Sequence, residues 1–222
     1  AEKAFRRPPV DGELEPIRRL VAGKVDEGMN PLSALQLGCQ AILCSPGFLY
    51  LNLGEGEIDE VALASRMAYF LWSSPPDKKL LMLARAGELK ADLPAQVSRM
   101  LADSRSNRLV THFVRRWLDL DGIGAMPPSA DFFAYYRDNL GSAMREETEM
   151  FFRHLLHNNL PLSEFLDADY SFLNRELALH YGIEGVQGNA LRRVSLKGSG
   201  RGGLIGQGAF LTASANGVDT SP

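Results

Sequence analysis

Residues 59–72 read DEVALASRMAYFLW, and this stretch decides the fold. Val61, Leu63, Met67, Phe70, Leu71 and Trp72 put apolar side chains on most sides of a helix, as expected of an element central to a core. Ser73-Ser74-Pro75-Pro76-Asp77 breaks it. Asp77 is then placed to cap a helix running to about Ala86, with Gly87 as its C-cap. Towards the N-terminus, helices are predicted over 13–27, stopped by Gly28 and Asn30, and from Pro31 to Cys44, ended by Ser45-Pro46-Gly47. These two form an antiparallel hairpin. Towards the C-terminus, helices are predicted over 93–102, 104–120, 131–157, 173–181 and 203–213. Leu109, Phe113, Trp117 and Leu120 mark an apolar stripe, Gly182 closes the 173–181 helix, and Gly206 and Gly208 weaken the last one. Only the Gly-rich span 185–203, around Arg192-Arg193-Val194-Ser195-Leu196, reads as a loop with one short strand. The fold class is all-α: a multi-helix bundle with an irregular Gly-rich C-terminal segment.

The turn-rich connector 52–57 (NLGEGE) is the first candidate boundary. It delimits an N-terminal helical hairpin module (1–57), a central helical module (58–190) and the start of a C-terminal module (191–222). The final segment TASANGVDTSP carries no closing helix or strand, so the chain is expected to be a fragment of a larger protein. A length of 222 residues suffices for a substantial core. A net charge of −3 argues against a nucleic-acid partner, which would need clustered Lys and Arg. No run approaches the roughly 18 apolar residues of a membrane span. Cys39 and Cys44 lie about 500° apart on a helix, which disfavours a disulfide, and they are expected to be small buried apolar side chains.

Two charges fall on rows where core side chains are expected. Arg66 shares a face with Leu63, Met67 and Phe70, and Glu147 shares one with Leu140, Met144, Phe151 and Leu155. A buried lone charge is expensive, so Arg66 and Glu147 are expected to pair with each other or with Arg99 or Arg115. His154 and His157 stand three apart on one helix, a spacing that suits a metal, but nothing nearby completes a ligand set. Both read better as solvent-facing polar residues near a helix C-terminus, and no metal is expected. His180 is placed to cap terminal carbonyls. The cluster of Asp167, Asp169, Tyr170 and Asn174 offers two carboxylates, those of Asp167 and Asp169, for acid–base work or cation binding, although Asp, Ser171 and Asn174 at these places also suit a turn and a helix entry. Arg201-Gly202-Gly203 before Leu204 has the form of an anion site at a helix N-terminus.

Beyond single residues, the segments 5–50 (FRRPPVDGEL to AILCSPGFLY), 62–77 (ALASRMAYFLWSSPPD), 144–152 (MREETEMFF), 166–183 and 201–222 (RGGLIGQGAFLTASANGVDTSP) resemble adjoining modules of large, exported bacterial proteins. These are the planctomycete-type, cytochrome-c-associated proteins, whose modules are domains of unknown function. The resemblance implies an export signal and a c-type haem module with CxxCH elsewhere in a parent protein, hence a periplasmic or cell-envelope redox role. It also implies polysaccharide as a candidate partner, beside the parent's other domains. It supplies no catalytic residues. This sequence contains no CxxCH, so no cofactor is expected in the chain itself.

The reading that follows is a helical module of an exported, haem-associated oxidoreductase, acting as a substrate-binding or docking scaffold. Two alternatives stand beside it: a non-catalytic cell-surface binding module, and a carbohydrate-active hydrolase pairing Asp167 or Asp169 with Glu147. Aromatics such as Trp117, Tyr135, Tyr136 and Tyr170 around a cleft would favour glycan binding. The candidate site comprises Glu147, Asp169 and His180 as catalytic residues, with Arg66, Tyr170, Asn174 and Arg201 as substrate contacts.

Overall fold

The computed structural model describes residues 1–50, 57–124, 129 and 138–215. Most of the 52–57 connector, residues 125–128 and 130 of the 121–130 loop, the start of the predicted 131–157 helix with Tyr135 and Tyr136, and the tail after Ala215 lie outside the described residues. The chain divides into two compact units, Ala1–Arg105 and Ser106–Pro222.

The first unit holds α1 (Glu2–Phe5), α2 (Glu15–Asp26), α3 (Pro31–Leu43), α4 (Pro46–Leu49), α5 (Glu60–Trp72), α6 (Lys78–Ala86) and α7 (Leu93–Ala102). Asp77 caps α6 as predicted, accepting from the Leu80 amide at 2.9 Å. Asn30, read only as the stop of the preceding helix, also caps α3, and Asp59, given no role in the sequence reading, caps α5, accepting from the Leu32 and Ala62 amides at 2.9 and 2.7 Å. α2 and α3 pack together, and at Gly38 an added Cβ would lie 2.6 Å from a Val21 methyl. Pro46 does not simply end α3; it opens the single turn of α4 at its first position. Arg6 is buried, and its guanidinium donates to the carbonyls of Gly47, Phe48 and Tyr50 at 3.0–3.2 Å.

Two expectations in this unit fail. α5 buries Ala62, Ala64, Ser65, Met67, Ala68, Leu71 and Trp72, whereas Phe70 is 63% exposed and Arg66 is exposed. The apolar row was assigned by bulk, but small alanines carry the packed face. The helix is therefore rotated, and Arg66 needs no internal partner. Cys39 and Cys44 are free and exposed rather than buried, because α3 turns Ala34 and Gly38 inward instead.

The second unit holds α8 (Asn107–Trp117), α9 (Asp138–His157), α10 (Glu164–Asp167), β1 (Tyr170–Leu173), α11 (Arg175–Tyr181), β2 (Arg192–Ser195) and α12 (Gly208–Ala213). The predicted 104–120 helix is shorter, with single 3-10 turns on either side and Asp119 in the left-handed region. β2 is the short strand expected in the Gly-rich span. Its partner β1 is unforeseen, since 166–174 read as turn and helix entry. The two pair antiparallel with Tyr170 opposite Ser195 and Leu173 opposite Arg192.

All four β1 side chains are buried. Alternation sends Leu173 into a cluster with Val110, Leu120, Leu140, Met144 and Leu177. It sends Tyr170 and Phe172 into an aromatic cluster with Phe151 and Leu155. α9 supplies both clusters along one face, as its spacing predicts. Among the described residues no helix is long and apolar enough to cross a membrane.

Candidate functional site

Between the two apolar clusters, α9 carries Glu147 inward, fully buried. Residues 140, 144, 147, 151 and 155 recur at three- and four-residue steps, so the carboxylate has no route to solvent from its own helix. Both of its oxygens are engaged. Ser171 on β1 donates its hydroxyl to Oε1 at 2.5 Å, and Tyr181 at the end of α11 donates to Oε2 at 2.6 Å.

Further donors stand behind these hydroxyls. The Gly208 amide at the start of α12 donates to the Tyr181 oxygen at 2.6 Å, and the Gln207 side-chain amide donates to Ser171 at 3.4 Å. Thr148 donates to the Gln207 carbonyl oxygen at 2.7 Å. Four elements, α9, β1, α11 and α12, thus meet on one carboxylate.

Burial dominates the electrostatics. It pushes the Glu147 carboxyl up from 4.5 to about 7, against the opposing pull of the Ser171 and Tyr181 hydrogen bonds and the Arg201 charge. The Tyr181 hydroxyl is raised by burial and by the neighbouring Glu147. His180 is lowered by burial and then by Arg201. Chemically, the arrangement holds a proton on Glu147 near neutrality, in contact with two hydroxyls and enclosed by apolar side chains.

The remaining predicted residues fall into distinct places. Arg201 belongs to the same region: its guanidinium stacks over the Tyr181 ring at 4.1 Å and donates to the Gly206 carbonyl at 2.8 Å. His180 is half-buried, with its ring 5.5 Å from that of Tyr181. Asn174 caps α11, accepting from the Leu177 amide at 2.9 Å. Asp169 is exposed and pairs with Lys197 at 3.2 Å. Tyr170 points into the aromatic cluster, donates to Glu164 and lies 3.9 Å beneath the Arg193 guanidinium.

The expected ion pairs for Glu147 do not form, because Arg99 engages Asp77 and Arg115 engages Glu149. His154 packs edge-on against Tyr170 and Phe172 rather than facing solvent, and burial lowers its pKa. Among the described residues no group of three His, Cys, Asp or Glu side chains is placed to hold a metal ion.

The anion reading of Arg201-Gly202-Gly203 fails on local structure. The helix begins at Gly208, not Leu204, and the Gly203 and Leu204 amides donate to the Ala168 and Phe165 carbonyls. These glycines answer to close packing. A Cβ at Gly203, where φ is +57°, would lie 2.5 Å from the Phe165 carbonyl oxygen, and one at Gly208 would lie 2.8 Å from Met144 Cε. Sequence reasoning missed Ser171 and Tyr181 as partners of Glu147, and Gln207 and Thr148 as the residues bonded behind Ser171. The available signal was the buried acid itself, which requires hydroxyl or amide donors when no base is near.

Two families match the chain. The description PSD4, protein of unknown function (DUF1592), covers residues 58–183, and PSD5, protein of unknown function (DUF1595), covers residues 1–52. No curated protein matches the chain, and no solved structure does.

Proposed function

The chain belongs to the PSD4 family of proteins of unknown function. From the resemblance of its segments to modules of exported, cytochrome-c-associated proteins, and not from that family match, we propose that it is the docking scaffold of an exported, haem-associated oxidoreductase of the cell envelope. In this reading it seats the cytochrome-bearing module of its parent protein and performs no chemistry of its own. The observation that carries the reading is the apolar outer face of α3. Leu32 and Leu35 are 66% and 59% exposed, and Leu43 is 49% exposed. Two hollows flank this face. One, of about 390 Å³, lies between α2 and α3 and is lined by Ile17, Val21, Leu35, Gly38 and Ile42. The other, of about 550 Å³, is lined by Leu32, Leu35 and Cys39.

Several large aliphatic side chains left in water on one helix face favour a protein partner. A partner tethered in the same polypeptide needs little area, because its effective concentration is high. The fate of the polar candidates supports the same reading: Asn174 caps a helix, Asp169 makes a surface pair, Arg201 holds a loop carbonyl, and Glu147 is sealed.

The test titrates the chain with the isolated cytochrome module of the parent by calorimetry, using the wild type and Leu35→Asp. Leu35 is exposed, so the variant should fold. Saturable binding weakened at least tenfold by the substitution supports docking at this face. Absence of binding, or binding indifferent to Leu35→Asp, removes it. A full-length parent without a reducible haem absorption band removes the redox context as well.

A further inference from the structure

The polar hollow on the opposite side of α9 from Glu147 is lined by charges of which some have no ion-pair partner among the described residues. It measures about 470 Å³ and is lined by Arg115 of α8 and by Ser142, Arg145, Glu146, Glu149 and Arg153 of α9. Glu149 is flanked on its own helix by Arg145 four residues before and Arg153 four residues after, the spacing at which helical ion pairs form. It pairs with neither. Its carboxylate accepts from Arg115 Nε at 2.7 Å and from the Thr111 hydroxyl at 3.4 Å.

Both flanking guanidiniums are thereby left over. Arg145 Nε donates to the Gly141 carbonyl at 3.3 Å, and neither Arg145 nor Arg153 has an ion-pair partner among the described residues. Arg153 Nε is buried with no hydrogen-bond partner among the described residues. A buried guanidinium N–H without an acceptor is unfavourable in a folded protein and calls for a specific reason. Glu146, on the same wall, is also outside any ion pair among the described residues and is exposed.

We propose that this hollow binds a small carboxylate carrying a neighbouring hydroxyl or ammonium group. The carboxylate lies against Arg145 and Arg153, whose planar forks match it bidentately. The hydroxyl or ammonium donates to Glu146. The acidic wall selects against a bare phosphate dianion, which would repel Glu146 without supplying a donor. This site is independent of the docking face on α3 and of the proposed redox context.

The test records amide NMR shifts of the intact chain titrated with malate, glycolate, glutamate and galacturonate, with succinate and inorganic phosphate as comparisons. The expected result is saturable shifts around residues 115 and 142–153 for at least one of the first four. Arg153→Gln should weaken that binding at least tenfold, and Arg145→Gln should do the same should Arg153→Gln fail to fold. Failure of all four to shift these amides, equal binding of phosphate, or unchanged affinity in a folded Arg145→Gln protein would each overturn the assignment.

Discussion

Replacing Glu147 by Gln tests whether burial or hydrogen bonding governs the central carboxyl. The wild-type group is held at about 7 in the fold against 4.5 as its ordinary value. For an acid raised in the folded state, the native protein binds more protons than the unfolded chain between those two values. Its contribution is therefore fully present below about pH 4.5 and is lost as pH climbs through 7. The rise corresponds to about 3 kcal/mol at pH 8. Gln has the same shape and no charge. Like the protonated acid, it obliges Ser171 or Tyr181 to redirect one hydroxyl proton, so the two proteins should agree within about 1 kcal/mol at pH 4.5. At pH 8, Glu147→Gln should be the more stable by about 2–3 kcal/mol. Urea unfolding of both proteins at half-unit pH steps reads the difference, in which all other titrating groups cancel. A difference independent of pH would refute the reasoning. So would a variant less stable at pH 8, since the converging donors would then hold Glu147 as a satisfied anion.

Gly203→Ala should destabilise by at least about 2 kcal/mol, read as a lowered urea midpoint, because its Cβ meets the Phe165 and Leu166 backbone within 2.7 Å at positive φ. Asn174→Ala should remove the α11 cap for about 1 kcal/mol, equally at pH 5 and pH 8, by thermal unfolding. Arg6→Met should orphan the Gly47, Phe48 and Tyr50 carbonyls, at a loss of about 2–4 kcal/mol, with faster proteolytic cleavage within residues 44–50.

The helices were legible because their ends are written locally. Pro31 and Asp77 announce starts, Gly28, Gly87 and Gly182 announce stops, and each acts within a turn of its own position. β1 was not legible. A four-residue strand buried on both faces shows no polar alternation, and it runs straight into the Asn174 cap, which reads as helix. The rotation of α5 was misjudged because alanines carry its packed face, and alanine is too small to outweigh Phe70 in a pattern judged by bulk. Glu147 was legible as the one acid in an apolar row. Its partners were not, since Ser171 and Tyr181 lie 24 and 34 residues away and arrive only through tertiary packing.

The segment RGGLIGQG (201–208) ties the hydrogen bonds around Glu147 to the packing of this unit. Gly208 has two roles at once: its missing side chain admits Met144 and the Tyr181 oxygen, and its amide fixes that oxygen by donating to it. Gln207 beside it bridges Thr148 and Ser171. The seat of α12 and the charge on Glu147 are therefore linked. Whatever strengthens the Gly208 and Gln207 bonds polarises the two hydroxyls towards Glu147 and favours its ionised form. By the reciprocity of linkage, protonating Glu147 loosens the seat of α12 by the same free energy. A carboxyl used this way must stay dry, because water reaching it would return its pKa towards 4.5 and dissolve the coupling. A catalytic acid needs the reverse, a path for substrate. That contrast is why we propose recognition on the outer faces of α3 and α9, where leucines are exposed and, among the described residues, Arg145 and Arg153 have no ion-pair partner.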